Sequence, residues 1–152
     1  MGFHYSAVFL VEGAPWITTD AEAYEEWYIV DGSAALDPLN EGATSGACQE
    51  PHSQVARCAA GGVSGLYQFR AGEPNLAATR FAVRVPKPFG MSYEQFYAAV
   101  QPATAEPGVS LWRRQMVLGP PPEFCLLSPT RQELPERFET LCTPLTPIWL
   151  GK

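Results

Sequence analysis

Two short segments with the same pattern decide the interpretation of this chain: residues 24–28, YEEWY, and residues 93–97, YEQFY, which lie 69 positions apart. Each segment places aromatic residues at positions i, i+3 and i+4, which is the spacing of one face of an α-helix. A capping box precedes each segment, formed by Thr19 with Glu22 and by Ser92 with Gln95. The repeat therefore predicts two helices, each with an aromatic face.

Strand patterns flank both predicted helices. Residues 4–12 (HYSAVFLVE) and 79–86 (TRFAVRVP) precede them, and residues 109–118 (VSLWRRQMVL) follow the second. These stretches are rich in β-branched and aromatic residues. We interpret them as two strand–helix–strand units, about 4–70 and 79–128, in one domain spanning residues 1–152. Such a pair of units predicts the α+β class, with the ferredoxin-like β-α-β-β-α-β order and an antiparallel sheet.

Two further segments complete the predicted organisation. Residues 46–62 show weak periodicity and are interpreted as an irregular excursion between the units. Thr130 and Glu133 predict the start of a C-terminal helix within residues 130–152, followed by a tail that Pro144 and Pro147 keep extended. Because this tail ends in a run of apolar residues, we expect it to dock on the core or on a partner.

The composition limits the classes of partner. Only 17% of the residues are charged, which is low for a globular protein and suggests that a partner subunit covers part of the surface. A net charge of −6, with lysine at positions 87 and 152 alone, makes nucleic acid and anionic membranes poor partners. Four cysteines without a C-x-x-C pair predict reduced thiols. With no long apolar run and no signal-peptide pattern at the start, we expect a cytoplasmic protein.

The second unit resembles a known superfamily. Residues 96–118, FYAAVQPATAEPGVSLWRRQMVL, are similar to the aromatic-Tyr, His-x-Pro, Pro-Gly-Val and Arg-strand pattern of dimeric α+β barrel proteins of the EthD type. Gln101 stands where that pattern has its histidine, and Gly32 stands there in the first unit. The resemblance implies a homodimer whose two sheets enclose a ligand-sized barrel. It also implies cofactor-free lyase, isomerase, cyclase or oxygenase chemistry on small aromatic or polyketide-like molecules.

Three residues are the candidate catalytic groups. Strand alternation separates His4 from the more apolar face of the first strand and turns it toward the barrel, where an imidazole can act as acid or base, although its place at the start of the strand could equally make it a rim residue. Asp31 follows Tyr28 by three positions, and a carboxylate in an apolar cavity gains basicity by desolvation. Proton abstraction beside a carbonyl would use His4 or Asp31 as base. Tyr28, Gln101 or Arg114 would then hold the developing oxyanion.

Side chains that could line the ligand site come from several predicted elements. Arg114 shares a strand face with Trp112 and would bind a carboxylate or enolate oxygen, although both arginines of that strand could equally be edge charges. His52 lies between Cys48 and Cys58, ligand types that zinc accepts, but the spacing matches no common site, and no metal or other cofactor is predicted. The candidate substrate-binding residues are Tyr67, Phe81, Tyr97, Gln101, Trp112, Arg114 and His52.

Three functions remain open from the sequence. The first is a cofactor-independent lyase, isomerase or cyclase acting on a small apolar or aromatic, oxygen-bearing metabolite. The second is a non-catalytic binding or regulatory protein, which the absent histidines at positions 32 and 101 favour. The third is a metal or haem protein that uses His52 or His4.

Overall fold

The fold is built around antiparallel β-strands. The computed structural model describes residues 2–13, 22–118 and 122–151. Within these ranges lie seven strands: β1 (Phe3–Val11), β2 (Ala23–Val30), β3 (Ser64–Gly72), β4 (Phe81–Val85), β5 (Ser110–Leu118), β6 (Phe124–Ser128) and β7 (Leu141–Gly151). They form one sheet in the order β2-β1-β7-β4-β6-β5-β3. Three helices accompany the sheet: α1 (Leu36–Thr44), α2 (Gln49–Cys58) and α3 (Tyr93–Thr104).

The predicted ferredoxin-like β-α-β-β-α-β fold is wrong. The structure is a seven-stranded antiparallel sheet, curled into a half-barrel, with three short helices. The error arises in the first repeat, because residues 24–28 belong to strand β2 and not to a helix. The pattern YEEWY fits both periods, since Tyr24 and Tyr28 share a face of a helix and also a face of a strand. The proposed cap at Thr19 lies outside the described residues.

The second repeat forms the predicted helix. Ser92 caps α3, its hydroxyl accepting from the backbone N–H of Gln95 while the Gln95 side chain accepts from the backbone N–H of Ser92. Both β4 and β5 pair antiparallel with β6, which lies between them, so β4, α3 and β5 form a strand–helix–strand unit. The capping box and the strands around it are confirmed.

The C-terminal segment differs in part from its prediction. Residues 130–140 form turns and irregular backbone in place of the expected helix. Pro135 contributes no backbone donor, and side-chain bonds close the loop instead: Gln132 Nε2 lies 3.1 Å from Ser128 Oγ. The tail is extended, as predicted. It forms β7, which pairs with β1 on one side and β4 on the other, so it docks in the middle of the sheet.

The two faces of the sheet carry separate hydrophobic clusters. Helix α3 covers one face, where Phe96 stacks on Phe124 with ring centroids 4.0 Å apart. On the other face a second cluster includes Phe9, Leu145 and Trp112. The sheet curls toward this second face, because aromatic residues of its two edge strands, β2 and β3, touch across it. We call it the concave face.

A helical segment connects the two edge strands. Helices α1 and α2, with the short turns beside them, occupy residues 33–58 between β2 and β3. Neither helix contains a buried residue, and Val55 is 69% exposed. In the described part of the chain, no residue between 31 and 63 belongs to either hydrophobic cluster. We call this segment the helical arm. Its second half, residues 46–58, lies in the stretch 46–62 that was predicted to be irregular and is helical instead, whereas α1 lies before that stretch.

Candidate ligand site on the concave face

An aromatic cluster lies where the two edge strands meet across the concave face. Trp27 of β2 is 5.5 Å from Tyr67 of β3 and 5.6 Å from Trp112 of β5, measured between ring centroids. Phe69 of β3 adds a fourth ring, 5.3 Å from Trp112. The rings are tilted to one another, an arrangement that aromatic pairs favour. Phe69 is still 41% exposed, so this cluster reaches from the interior to solvent.

A buried ion pair stands beside these rings. Arg84 of β4 points into the curl, because its neighbours Val83 and Val85 pack under α3 on the opposite face. Its Nη2 donates to Glu25 Oε2 of β2 at 2.6 Å, and the two side chains are 9% and 14% exposed. The Trp27 Nε1–H donates to the other Glu25 oxygen at 2.7 Å. One carboxylate oxygen of Glu25 therefore accepts from β4, and the other accepts from a residue of its own strand, β2.

Burial controls the acidity of the groups near this pair. It raises the pKa of the Tyr67 hydroxyl to about 12, with Arg84, Arg114 and Glu25 close enough to influence it. It also raises the pKa of the Cys125 thiol to about 12. Near neutral pH both groups hold their protons. Tyr67 is therefore a hydrogen-bond donor at this site, and the Cys125 thiol is a poor nucleophile.

The structure brings two of the three predicted catalytic residues together. His4 Nε2 lies 2.6 Å from Asp31 Oδ1, although their side chains are 54% and 67% exposed. A β-bulge between Phe3 and Tyr5 places His4 beside the end of β2, where Asp31 begins the next segment. Tyr28 does not join them, because its hydroxyl donates to Glu26 Oε2 on the outer face. This pair lies at the rim of the sheet and not inside the curl.

The predicted substrate-binding residues divide among three places. Tyr67, Trp112 and Arg114 come together on the concave face, Arg114 by alternation with Trp112 along β5. Phe81 alternates with Ala82 onto the other face, and α3 carries Tyr97 among the rings of the helix-covered cluster. The hydroxyl of Tyr97 is buried and has no hydrogen-bond partner in the described part of the chain. Gln101 is exposed on α3, and His52 is exposed on α2.

Sequence reasoning missed the charged pair at the centre of the site. The pattern of residues 24–28 predicts a helix for Glu25, whereas Glu25 lies in β2, and the strand pattern of residues 79–86 predicts no role for Arg84 in β4. One signal was present: Arg84 lies between Val83 and Val85 in a strand that is otherwise apolar. A single charge in such a strand must either face solvent or find a partner, and its partner is 59 positions away along the chain.

Other parts of the structure offer weaker candidates. An open groove of about 590 Å³ lies beside α3, lined by Phe89, Met91, Ala99 and Arg137 among others, and contains none of the predicted site residues.

Among the described residues, no three His, Cys, Asp or Glu side chains are grouped as a metal site would need. The helices in the described ranges include none that is long and apolar enough to cross a membrane.

Comparisons with known proteins give no relative. No protein-family model, no curated protein and no solved structure is significantly similar to this chain. The resemblance to EthD-type proteins stays a prediction.

Proposed function

We propose that this protein binds a small apolar or aromatic, oxygen-bearing molecule on the concave face of its sheet. The observation that carries the proposal is the group of aromatic rings from three strands beside a buried arginine. Flat rings supply a stacking surface for an aromatic ligand, and a few fixed polar groups supply orientation. The arginine and the neutral Tyr67 hydroxyl are both donors, which suits an oxygen acceptor on the ligand.

Catalysis by the same protein is the second candidate. The His4–Asp31 contact of 2.6 Å favours it, because a carboxylate that accepts from one imidazole nitrogen orients the ring and leaves the other nitrogen to take a proton. A cofactor-free lyase, isomerase or cyclase that abstracts a proton beside a carbonyl needs such a base. The substrate would have to extend from the concave face to the rim where His4 lies.

Native mass spectrometry of the purified protein is the first test of binding. We expect a small organic molecule to co-purify and to be released on denaturation. Isothermal titration calorimetry with indole then measures the affinity of the cluster for an aromatic ligand. Phe69→Ala should weaken indole binding several-fold, whereas Tyr24→Ala, a comparably exposed aromatic on the outer face, should not. Equal affinity in both variants would contradict the proposed location.

A separate pair of variants tests catalysis. If turnover of the co-purified molecule or its analogues is found, His4→Ala and Asp31→Asn should each lower it by about 100-fold, as loss of a general base does. Unchanged turnover in both variants would remove the His4–Asp31 pair as the base. Binding measured with the same variants should stay at the wild-type level.

We also propose that the protein is a homodimer in the cytoplasm. One apolar surface supports self-association: the uncovered outer face of β2, β1 and β7, where Tyr24, Tyr28 and Trp149 are each about half exposed. The helical arm adds an exposed apolar side chain, Val55. The exposed thiols of Cys48 and Cys58 are consistent with a reducing compartment. The mass in native spectra checks the dimer. Val55→Glu on the arm should shift it toward monomer, whereas Gln54→Glu, at its exposed neighbour, should leave it unchanged.

A further inference from the structure

Glu25 is held in the way that a bound carboxylate ligand is held. Its Oε2 accepts from Arg84 Nη2 at 2.6 Å and its Oε1 accepts from Trp27 Nε1 at 2.7 Å. Charge-assisted bonds of this length are the usual recognition of a carboxylate by arginine. The chain therefore contains a carboxylate-binding arrangement whose occupant is one of its own side chains.

The pair spans the curl of the sheet. Strands β1 and β7 lie between β2 and β4 in the sheet order, so Glu25 does not reach Arg84 as a cross-strand neighbour. It crosses the concave face from an edge strand that is paired on one side, with β1. An edge strand gives up fewer ladder bonds when it moves than a central strand does. Of the two partners, Glu25 is the one that can be displaced.

A second polar group faces the same interior. Thr143 of β7 is paired with Ala82 of β4, and so lies on the same face as Arg84, two positions along. It is 1% exposed, and its hydroxyl has no hydrogen-bond partner among the described residues. Buried hydroxyls are normally paired. Its position beside Arg84 offers an additional hydrogen bond to a molecule that enters the site.

We propose that Arg84 is a binding site for the carboxylate of a small aromatic acid, and that Glu25 occupies this site when no ligand is bound. The inference rests on the proposed function and makes it more specific: the ligand oxygen belongs to a carboxylate, and the aromatic part lies against Trp27 and Tyr67. A neutral ligand is a poor replacement for Glu25, because it removes a carboxylate from the buried guanidinium and supplies no negative charge in its place. A ligand with a carboxylate supplies the negative charge that Arg84 loses when Glu25 is displaced.

Chemical rescue tests the site directly. Glu25→Ala removes the internal carboxylate and leaves room for an external one, so its melting temperature should fall by several degrees. Sodium propionate should raise the melting temperature of Glu25→Ala more than that of the wild type, whereas propionamide should not. Glu26→Ala, whose side chain lies on the outer face of the same strand, is the matched control and should show no such dependence. Arg84→Met combined with Glu25→Ala should abolish the rescue.

A second variant, Glu25→Gln, tests the proposal if Glu25→Ala fails to fold. Glu25→Gln keeps the shape of the side chain and weakens its hold on Arg84. Benzoate should therefore bind Glu25→Gln at least 10-fold more tightly than wild type in a fluorescence titration. The proposal is overturned if propionate affects Glu25→Ala and wild type alike, or if benzoate affinity is the same in Glu25→Gln and wild type. Indole binding to the wild type tests the proposed function separately, since indole carries no carboxylate.

Discussion

Trp27 and Tyr67 lie on the two strands at opposite edges of the sheet, and their ring centroids are 5.5 Å apart. A flat sheet of seven strands would hold its edges about 29 Å apart, at roughly 4.8 Å per strand spacing. The contact therefore requires the sheet to curl until its edges meet across the concave face. These two rings, with Trp112 behind them, hold the half-barrel in its curled form.

Trp27→Ala should accordingly destabilise the fold. Removing a large aromatic side chain from a core costs about 3–5 kcal/mol, and we expect the lower end because Trp27 is half-buried. Urea unfolding followed by circular dichroism measures the change in the free energy of unfolding. Tyr24→Ala, on the outer face of the same strand, should change it by less than about 0.5 kcal/mol. Equal losses for the two variants would show that the edge contact contributes nothing.

The two aromatic segments, residues 93–97 and residues 24–28, have the same spacing but form different structures. Around Phe96 the capping box, the aromatic spacing and the flanking strands all agree, and helix α3 forms as expected. Around Trp27 the same spacing occurs in a strand, because residues four apart share a face in both periods. Tertiary pairing with β1 decides the outcome there, and a pattern of five residues carries no information about a partner strand.

The site was harder to predict than the strands. Alternation along β5 correctly placed Trp112 and Arg114 on one face. The ion pair depends on the curl, which brings Glu25 and Arg84 together from strands that are not adjacent. No local rule links two residues so far apart in sequence. The helix predicted for residues 24–28, moreover, gives no indication that Glu25 faces the same interior as Arg84.

The capping box gives a second prediction. Ser92→Ala removes the hydroxyl that accepts from the Gln95 backbone N–H, at 3.1 Å, and should lower the free energy of unfolding by about 1 kcal/mol. Ser64→Ala, at the exposed start of edge strand β3, is a matched control and should have little effect. Chemical denaturation of both variants makes the comparison. If the two substitutions cost the same, the cap does not stabilise α3.

Stability should fall at alkaline pH. The folded-state pKa of Tyr67 and of Cys125 is raised by burial to about 12, against ordinary values of 10.0 and 9.0. The folded chain therefore keeps protons that the unfolded chain releases. Their contribution is fully present below about pH 9 and is lost as the pH rises toward 12. Unfolding free energies measured from pH 8 to 12 should decrease over this interval.

Two substitutions separate the contributions to this decrease. Tyr67→Phe should flatten the curve above pH 10, and Cys125→Ala should flatten it from pH 9 upward, each relative to its own value at pH 8. Cys48→Ala, which removes an exposed thiol, should leave the shape of the curve unchanged. If both core variants keep the wild-type slope, other groups cause the alkaline loss.

Thiol labelling tests the different environments of the four cysteines. Cys48 and Cys58 are exposed on the helical arm, Cys142 is half-buried with its pKa raised by burial, and Cys125 is fully buried. Alkylation requires both access and the thiolate form. With iodoacetamide at pH 8, we expect Cys48 and Cys58 to react first, Cys142 more slowly, and Cys125 only as fast as the protein unfolds. Peptide mass spectrometry at successive times gives the four rates. If Cys125 reacted as fast as Cys58, the concave face would be open to solvent at the position where Arg84 and Glu25 are paired.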